Sequence, residues 1–310
     1  MRLATGMLSA LALWSGLAMA QPAALTLPRE DGSSIHYYLD AAVPGQSSAA
    51  LLVILQGSDC NSVRHIRLLA PLRQVLPAAD LLTVEKYGID DRLPYREEVP
   101  RQDCPDAFVQ HDTPQRRVSD VTQVLQAVIA RNGYQKVVVL GGSEGAVIAN
   151  LVTASSGRID ATLAFSGGGR WFVDDVRHSA AGAPKEEVAG LNAFLQQVMT
   201  APPFPLNASD HGYDWWHGML NIDQLATLRS IKTPVLIVQG DQDRAVSPGA
   251  VDNMIDELRA AGKTNITYVN YAGLDHVMRR ENGTSEMTQV VADMRAWLEK
   301  QLRGPATHGP

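Results

Sequence analysis

The chain lacks the patterns that would point to a metal centre or to nucleic acid. It has two cysteines in 310 residues, with no CxxC pair, and its eight histidines form no HExxH motif, so a zinc site is not indicated. No basic stripe or aromatic-interleaved Lys/Arg cluster occurs, and the formal net charge is −6, which argues against nucleic acid as a partner. We expect neither a metal nor another cofactor.

Long hydrophobic runs and internal repeats are also missing. After residue 20 no stretch is apolar enough to span a bilayer, so no membrane span is expected in the mature chain. No repeat of roughly 20–50 residues suggests a solenoid. With 45% hydrophobic and 19% charged residues, the composition is that of a globular protein, and one catalytic domain over residues 21–310 is expected. The oligomeric state stays open.

The first twenty residues have the features of an export signal. Arg2 precedes an apolar run over residues 7–17, and Ala18-Met19-Ala20 is a small-x-small cleavage pattern. The run is shorter than the ~20 residues that a spanning helix needs, which favours a removable signal peptide over residues 1–20 rather than an anchor or a buried helix. We expect a mature protein in the periplasm or outside the cell.

Cys60 and Cys104 are the only cysteines. An even pair in an exported chain is typical of a disulfide formed in an oxidising compartment, so we predict that the two are bonded. Two unpaired thiols remain the alternative, because a sequence gives no Cα–Cα distance.

Strand-like segments recur along the chain. Residues 25–27 and 35–39 flank a turn-rich tetrad at 30–33 and predict an antiparallel hairpin. Later segments are continuously apolar rather than alternating, as in strands buried on both faces of a parallel sheet. They are residues 49–55, 81–84, 136–140, 161–165, 234–238 and 266–270.

Helical patterns separate several of these strands. Hydrophobic residues at helical spacing over 118–129 predict a helix that ends at Asn132-Gly133, just before the strand at 136–140. This alternation predicts an α/β fold with a mostly parallel central sheet flanked by helices.

The alternation stops over residues 169–232, a stretch longer than an ordinary connection. It carries helix-like pieces together with Trp215 and Trp216. An insertion above the ends of parallel strands can act as a helical lid, in which both tryptophans would contact substrate. A stabilising helical hairpin with buried tryptophans fits the pattern equally well.

A G-x-S-x-G pentapeptide, Gly141 to Gly145, lies between the strand at 136–140 and a helix-forming run at 146–152. A sharp turn there would present Ser143 above the sheet as a nucleophile. The Glu144 amide, at the helix N-terminus, would face a developing oxyanion. An ordinary serine in a glycine-rich turn is the alternative.

A nucleophilic serine needs an imidazole base and a carboxylate that orients the imidazole. Asp243 follows the strand at 234–238 and His276 follows the strand at 266–270. Both therefore lie at carboxyl ends of strands, where active sites of open sheets form. Asp241, in the same loop as Asp243, is the competing acid.

Together these residues resemble the α/β-hydrolase family over essentially all of residues 24–302. The order Ser143, Asp243, His276 matches that family's order of Ser, Asp/Glu and His. The resemblance implies the α/β-hydrolase fold and a second oxyanion donor in the loop after an early central strand, where the Ser58 amide is the matching group. Many members have His-Gly where Gln56-Gly57 stands, which leaves the role of the Gln56 side chain open.

The implied reaction is acyl transfer, with attack by Ser143, proton transfer through His276 and hydrolysis of an acyl-enzyme. We expect a serine hydrolase that cleaves the carboxylic ester of a small-molecule acyl substrate. The alternatives are an exopeptidase or thioesterase of the same fold, a catalytically silent binding protein, and an interaction module with an exposed Trp215-Trp216 patch. If the carboxylates of Asp59 and Glu144 face the site, they would disfavour anionic substrates.

Overall fold

The structure, a computed structural model, describes residues 24–98 and 100–303 and contains an eight-stranded, mostly parallel sheet. The strand order is β1-β2-β4-β3-β5-β6-β7-β8. β2 is antiparallel to β1 and to β4, and every other pair is parallel. The strands are β1 (Leu25–Pro28), β2 (Ser34–Asp40), β3 (Ala50–Leu55), β4 (Asp80–Val84), β5 (Lys136–Gly142), β6 (Ala161–Phe165), β7 (Val235–Gly240) and β8 (Ile266–Tyr271).

The predicted hairpin and the six predicted apolar strands are confirmed by this sheet. The predicted signal peptide, residues 1–20, lies outside the described residues. The helices of the described ranges are α1 (Leu69–Arg73), α2 (Asp106–His111), α3 (Pro114–Asn132), α4 (Glu144–Ser155), α5 (Phe172–Ser179), α6 (Lys185–Thr200), α7 (Tyr213–Leu220), α8 (Gln224–Ser230), α9 (Pro248–Ala260) and α10 (Met287–Leu302).

Local signals set the ends of α3, the helix predicted before β5. The Thr113 side chain accepts a hydrogen bond from the Arg116 amide, and Pro114 occupies the first turn, where its missing N–H costs nothing. The helix stops at Gly133, whose φ of +70° is left-handed and suits glycine.

Helices cover both faces of the sheet. On one face α1 and α10 pack against strand residues such as Leu52 and Leu140. On the other, α3 and α4 pack against Leu51 and Val139, and α8 and α9 continue this layer over β7. Burial on both faces explains why the parallel strands are apolar at successive positions. No helix of the described ranges has the length and hydrophobicity that a membrane crossing requires.

Helices α5 to α8 form the insertion between β6 and β7. Trp215 and Trp216 lie on α7 and are 4% and 7% exposed. They pack with Val147 of α4 and with Leu195 and Val198 of α6. Both tryptophans are therefore part of a hydrophobic core that attaches the insertion to α4.

Candidate active site

Ser143 occupies a strained turn between β5 and α4. Its φ of +55° and ψ of −130° lie where a residue with a Cβ is rarely found. The conformation directs the chain sharply from strand to helix, as expected for a serine presented above a sheet. The Ser143 amide donates to the carbonyl of Phe165 on β6, which holds the turn against the neighbouring strand.

Two glycines of the pentapeptide are required by close packing. A Cβ on Gly145 would lie 2.2 Å from the Leu55 carbonyl oxygen, so α4 approaches β3 only because no side chain intervenes. A Cβ on Gly142 would lie 2.2 Å from the Phe165 ring. The glycines thus allow the helix and the adjacent strand to converge on Ser143.

His276 and Asp243 form a hydrogen-bonded pair. The His276 Nδ1 lies 2.8 Å from Asp243 Oδ2. The carboxylate is buried, and its second oxygen accepts from the amides of Ala245 and Val246. Asp241 makes no such contact, since its Oδ1 accepts from the Gly273 amide and the Gln242 side chain instead.

The surroundings of Asp243 keep it ionised. Burial alone would raise the pKa of Asp243, but hydrogen bonds with His276, the Val246 amide and the Gln239 side chain lower that pKa below its usual value. A carboxylate in this position fixes the imidazole ring and stabilises it when it becomes protonated. Ser166 holds the other side of the loop, because its Oγ donates to the His276 carbonyl at 2.9 Å.

Ser143 and His276 line one cavity of about 310 Å³. Gly57 also lines it and lies next to the serine, since a Cβ there would be 3.5 Å from the Ser143 Cβ. Most of the wall is apolar side chains, namely Ile54, Leu55, Ile66, Leu68, Leu69, Leu72, Phe165 and Val277. The cavity can therefore accept an apolar group next to the serine and the imidazole.

The loop after β3 carries Ser58 and borders the same cavity. The Gln56 side chain donates to the Asn61 carbonyl at 2.8 Å, so it closes the turn of this loop rather than facing a substrate. Cys60 and Cys104 are bonded, with 5.9 Å between their Cα atoms, and attach the loop to the segment before α2. Opposite, Glu144 is the first residue of α4, so its amide has no acceptor within the helix.

The Glu144 carboxylate does not face the cavity. It is buried between two cations, with Arg117 Nη1 at 2.8 Å and Lys86 Nζ at 3.4 Å. Burial alone would raise the pKa of Glu144, but Lys86 and Arg117 lower it, so the carboxylate is ionised. The positive charges of these two partners balance its negative charge. The expectation that Glu144 repels anionic substrates is therefore wrong, while Asp59 lies half-buried at the edge of the cavity.

A family model of the prolyl oligopeptidase family matches residues 106–305, about two thirds of the chain. The chain belongs to this family. The protein is a serine hydrolase acting on ester or amide bonds. Its structural neighbours include both esterases and peptidases. No curated protein matches the chain.

Solved structures agree on the fold of this prolyl oligopeptidase family member. Est1E from Butyrivibrio proteoclasticus is 17% identical with a TM-score of 0.62, over 91% of this chain and 99% of that one. The esterase Pf2001 from Pyrococcus furiosus is 15% identical with a TM-score of 0.58, over 91% of each chain. A puromycin-hydrolysing peptidase from Mycobacterium tuberculosis is 16% identical with a TM-score of 0.63, over 96% of this chain and 42% of that one. Identities this low establish the α/β-hydrolase fold alone.

Trp215 and Trp216 do not form the exposed patch of the interaction-module hypothesis. Both are buried, and they form part of the lining of a second cavity of about 840 Å³. Ser58 and Asp59 line both this cavity and the one that contains Ser143. A contact between these tryptophans and a substrate thus stays a prediction.

Several residues that shape the site were not found from the sequence. Gln239 and Ser166 hold the Asp243-His276 pair, whereas Lys86 and Arg117 hold the turn around Ser143. Ser166 had a signal, since it directly follows β6 and so lies at the same edge of the sheet as the other site residues. Lys86 and Arg117 lie 58 and 27 positions from Glu144, and nothing in the sequence links them to it.

Proposed function

We propose that the protein is a carboxylic ester hydrolase that forms an acyl-enzyme on Ser143. The observation that carries this proposal is the apolar cavity of about 310 Å³ that Ser143 and His276 both line. An acyl chain buried there would leave its carbonyl carbon at the serine. Only a few polar groups line this cavity, which suits an acyl group without charge.

In the proposed reaction, His276 accepts the Ser143 proton as Oγ attacks the carbonyl, and Asp243 stabilises the imidazolium. The amides of Ser58 and Glu144 donate to the oxyanion, helped by the positive end of α4. His276 then protonates the leaving alcohol. Water, deprotonated by His276, attacks the acyl-enzyme and releases the acid.

The remaining expectations belong to this proposal. Residues 1–20 are a signal peptide, and the mature catalytic domain, residues 21–310, acts in the periplasm or outside the cell. The bonded Cys60-Cys104 pair supports export, because disulfides persist in oxidising compartments. Residues 169–232 act as a lid above the site, and the shared lining of the two cavities by Ser58 and Asp59 supports that role.

Peptide hydrolysis is the second candidate. The match to the prolyl oligopeptidase family favours an amide bond, and the same triad cleaves both bond types. The two candidates differ in the leaving group, which departs as an alcohol or as an amine.

The first experiment labels the mature protein with a fluorophosphonate. We expect labelling of the wild type, its loss in Ser143→Ala, and its retention in Ser230→Ala, which removes an exposed hydroxyl at the end of α8. Failure of the folded wild type to react would contradict a nucleophilic serine.

A panel of p-nitrophenyl esters then tests the cavity. We expect kcat/KM to rise up to about fourfold for each added methylene, since one buried CH₂ contributes about 0.8 kcal/mol, and to fall once the chain exceeds the cavity. Aminoacyl p-nitroanilides serve as the comparison. Faster turnover of the anilides would make the peptidase the better description.

A further inference from the structure

Two buried cations connect the two sides of the proposed oxyanion hole. The Lys86 side chain has no exposed surface. Its Nζ donates to the Asp59 carbonyl at 3.0 Å and to Glu144 Oε2 at 3.4 Å. One ammonium group therefore binds the loop that carries Ser58 and also the residue that follows the nucleophile.

Arg117, on α3, makes the equivalent connection. Its Nη1 donates to Glu144 Oε1 at 2.8 Å and its Nη2 donates to the Gln56 carbonyl at 2.7 Å. Gln56 and Asp59 lie on either side of Ser58 in the chain. Their carbonyls are thus held by two cations that share one carboxylate, and that carboxylate belongs to the residue supplying the other amide.

His211 contacts the loop from the insertion. Its ring lies beside the backbone of Ser58 and stacks on the Trp215 ring, with 3.7 Å between the ring centroids. Burial lowers the pKa of His211 to about 3, so the imidazole is neutral and leaves Lys86 and Arg117 as the cations.

We propose that Lys86 and Arg117 are positioning residues, which set the distance between the Ser58 and Glu144 amides through the shared Glu144 carboxylate. This inference rests on the proposed function. Oxyanion donors act only when they point at the charge that develops in the transition state, and small displacements of such groups reduce the rate strongly. The network should therefore affect turnover more than substrate binding.

Lys86→Met and Arg117→Met test the proposal. Each leaves Glu144 paired with the remaining cation, so the fold should persist. We expect kcat for a p-nitrophenyl ester to fall 10- to 100-fold in either variant while KM changes less than about threefold.

Arg29→Met is the matched control. Arg29 and Asp120 form another ion pair, with side chains 5% and 7% exposed, that contacts none of the site residues named above. Its loss should lower the melting temperature and leave kcat unchanged. If Lys86→Met behaves like Arg29→Met, the network only stabilises the fold and the proposal is overturned.

Two further measurements are needed. One distinguishes a positioning role from an effect of charge alone, and the other distinguishes this proposal from the proposed function on which it rests. Arg117→Lys keeps the charge on a shorter side chain that cannot reach both acceptors, so kcat should still fall; wild-type turnover in this variant would overturn positioning.

A boronic acid, which forms a tetrahedral adduct on a nucleophilic serine, should bind the Met variants more weakly by the factor lost in kcat. Wild-type affinity in those variants would contradict the proposal alone, whereas an unreactive wild type would remove the proposed function with it.

Discussion

Asp243 and Asp241 lie two positions apart in one loop, yet their environments differ. Asp243 is 2% exposed and accepts hydrogen bonds from two backbone amides, from Gln239 and from His276. Asp241 is exposed and closes the turn with Gly273. Only Asp243 is placed to select the imidazole tautomer that leaves Nε2 free to accept a proton.

We expect Asp243→Asn to lower kcat for an ester about 10⁴-fold, because an amide neither favours this tautomer nor stabilises the imidazolium. Asp241→Asn is the control and should stay within about threefold of wild type, since its contacts are made outside the triad. Steady-state kinetics on both variants check this. A large loss in Asp241→Asn with activity kept in Asp243→Asn would reverse the assignment.

At this scale the sequence identifies residues that follow strands and motifs. The pentapeptide makes Ser143 a candidate, and their positions after strands make Asp243 and His276 candidates, because parallel strands end at one edge of the sheet. The sequence could not choose between Asp241 and Asp243 by spacing, since both are in reach. It could not find Lys86 or Gln239 either, because their roles depend on contacts across the fold.

Among the elements, the loop after β3 is attached to the rest of the fold at several points. The Cys60-Cys104 bond closes a separation of 44 residues, and the Gln56 side chain closes the turn independently of it. Crosslinking at this separation stabilises a fold by about 2–4 kcal/mol, chiefly by restricting the unfolded chain.

The double variant Cys60→Ser/Cys104→Ser should therefore unfold at a lower denaturant concentration while its kcat at 25 °C falls only a few-fold, since Lys86, Arg117 and Gln56 still hold the loop. Chemical denaturation with and without a reductant measures this. Wild type that is equally stable after reduction, or a variant with no residual turnover, would contradict the expectation.

The predicted strands were confirmed because burial on both faces gives continuous apolar runs that few other structures produce. The insertion was located by its length, and burial of its tryptophans was one of two equally weighted expectations, but the surface against which they pack was not predicted. Its helices bury Trp215 and Trp216 against α4, and such burial depends on a partner surface that is distant in the chain. Helix α1, with five residues, is too short to give a periodic signal.

For the whole molecule, stability should depend on buried carboxyl groups as well as on the core. Burial raises the pKa of Glu85 to about 7 despite hydrogen bonds from Ser62 and Val63. A raised pKa means that the folded protein binds a proton more tightly than the unfolded chain. The stabilisation that comes from this proton is fully present below the unfolded pKa of 4.5 and is lost as the pH rises through about 7.

Glu85→Gln, which resembles the protonated acid, should remove that loss. We expect the free energy of unfolding of wild type to fall relative to the variant by at most about 3 kcal/mol between pH 4.5 and 7. Glu97→Gln, at an exposed position, is the control and should follow wild type throughout. A constant difference between wild type and Glu85→Gln across this range would mean that Glu85 does not titrate there.

Part of the wall of the apolar cavity comes from a segment of the chain that carries none of the proposed reactive groups. Ile66, Leu68 and Leu69 are half-buried residues just before and within α1, and none of them belongs to the triad or to the ion network. Mutation can therefore enlarge or narrow the cavity there while Ser143 and His276 keep their setting. The separation makes the protein evolvable, because selection can change substrate preference at α1 without altering the residues proposed to carry the chemistry.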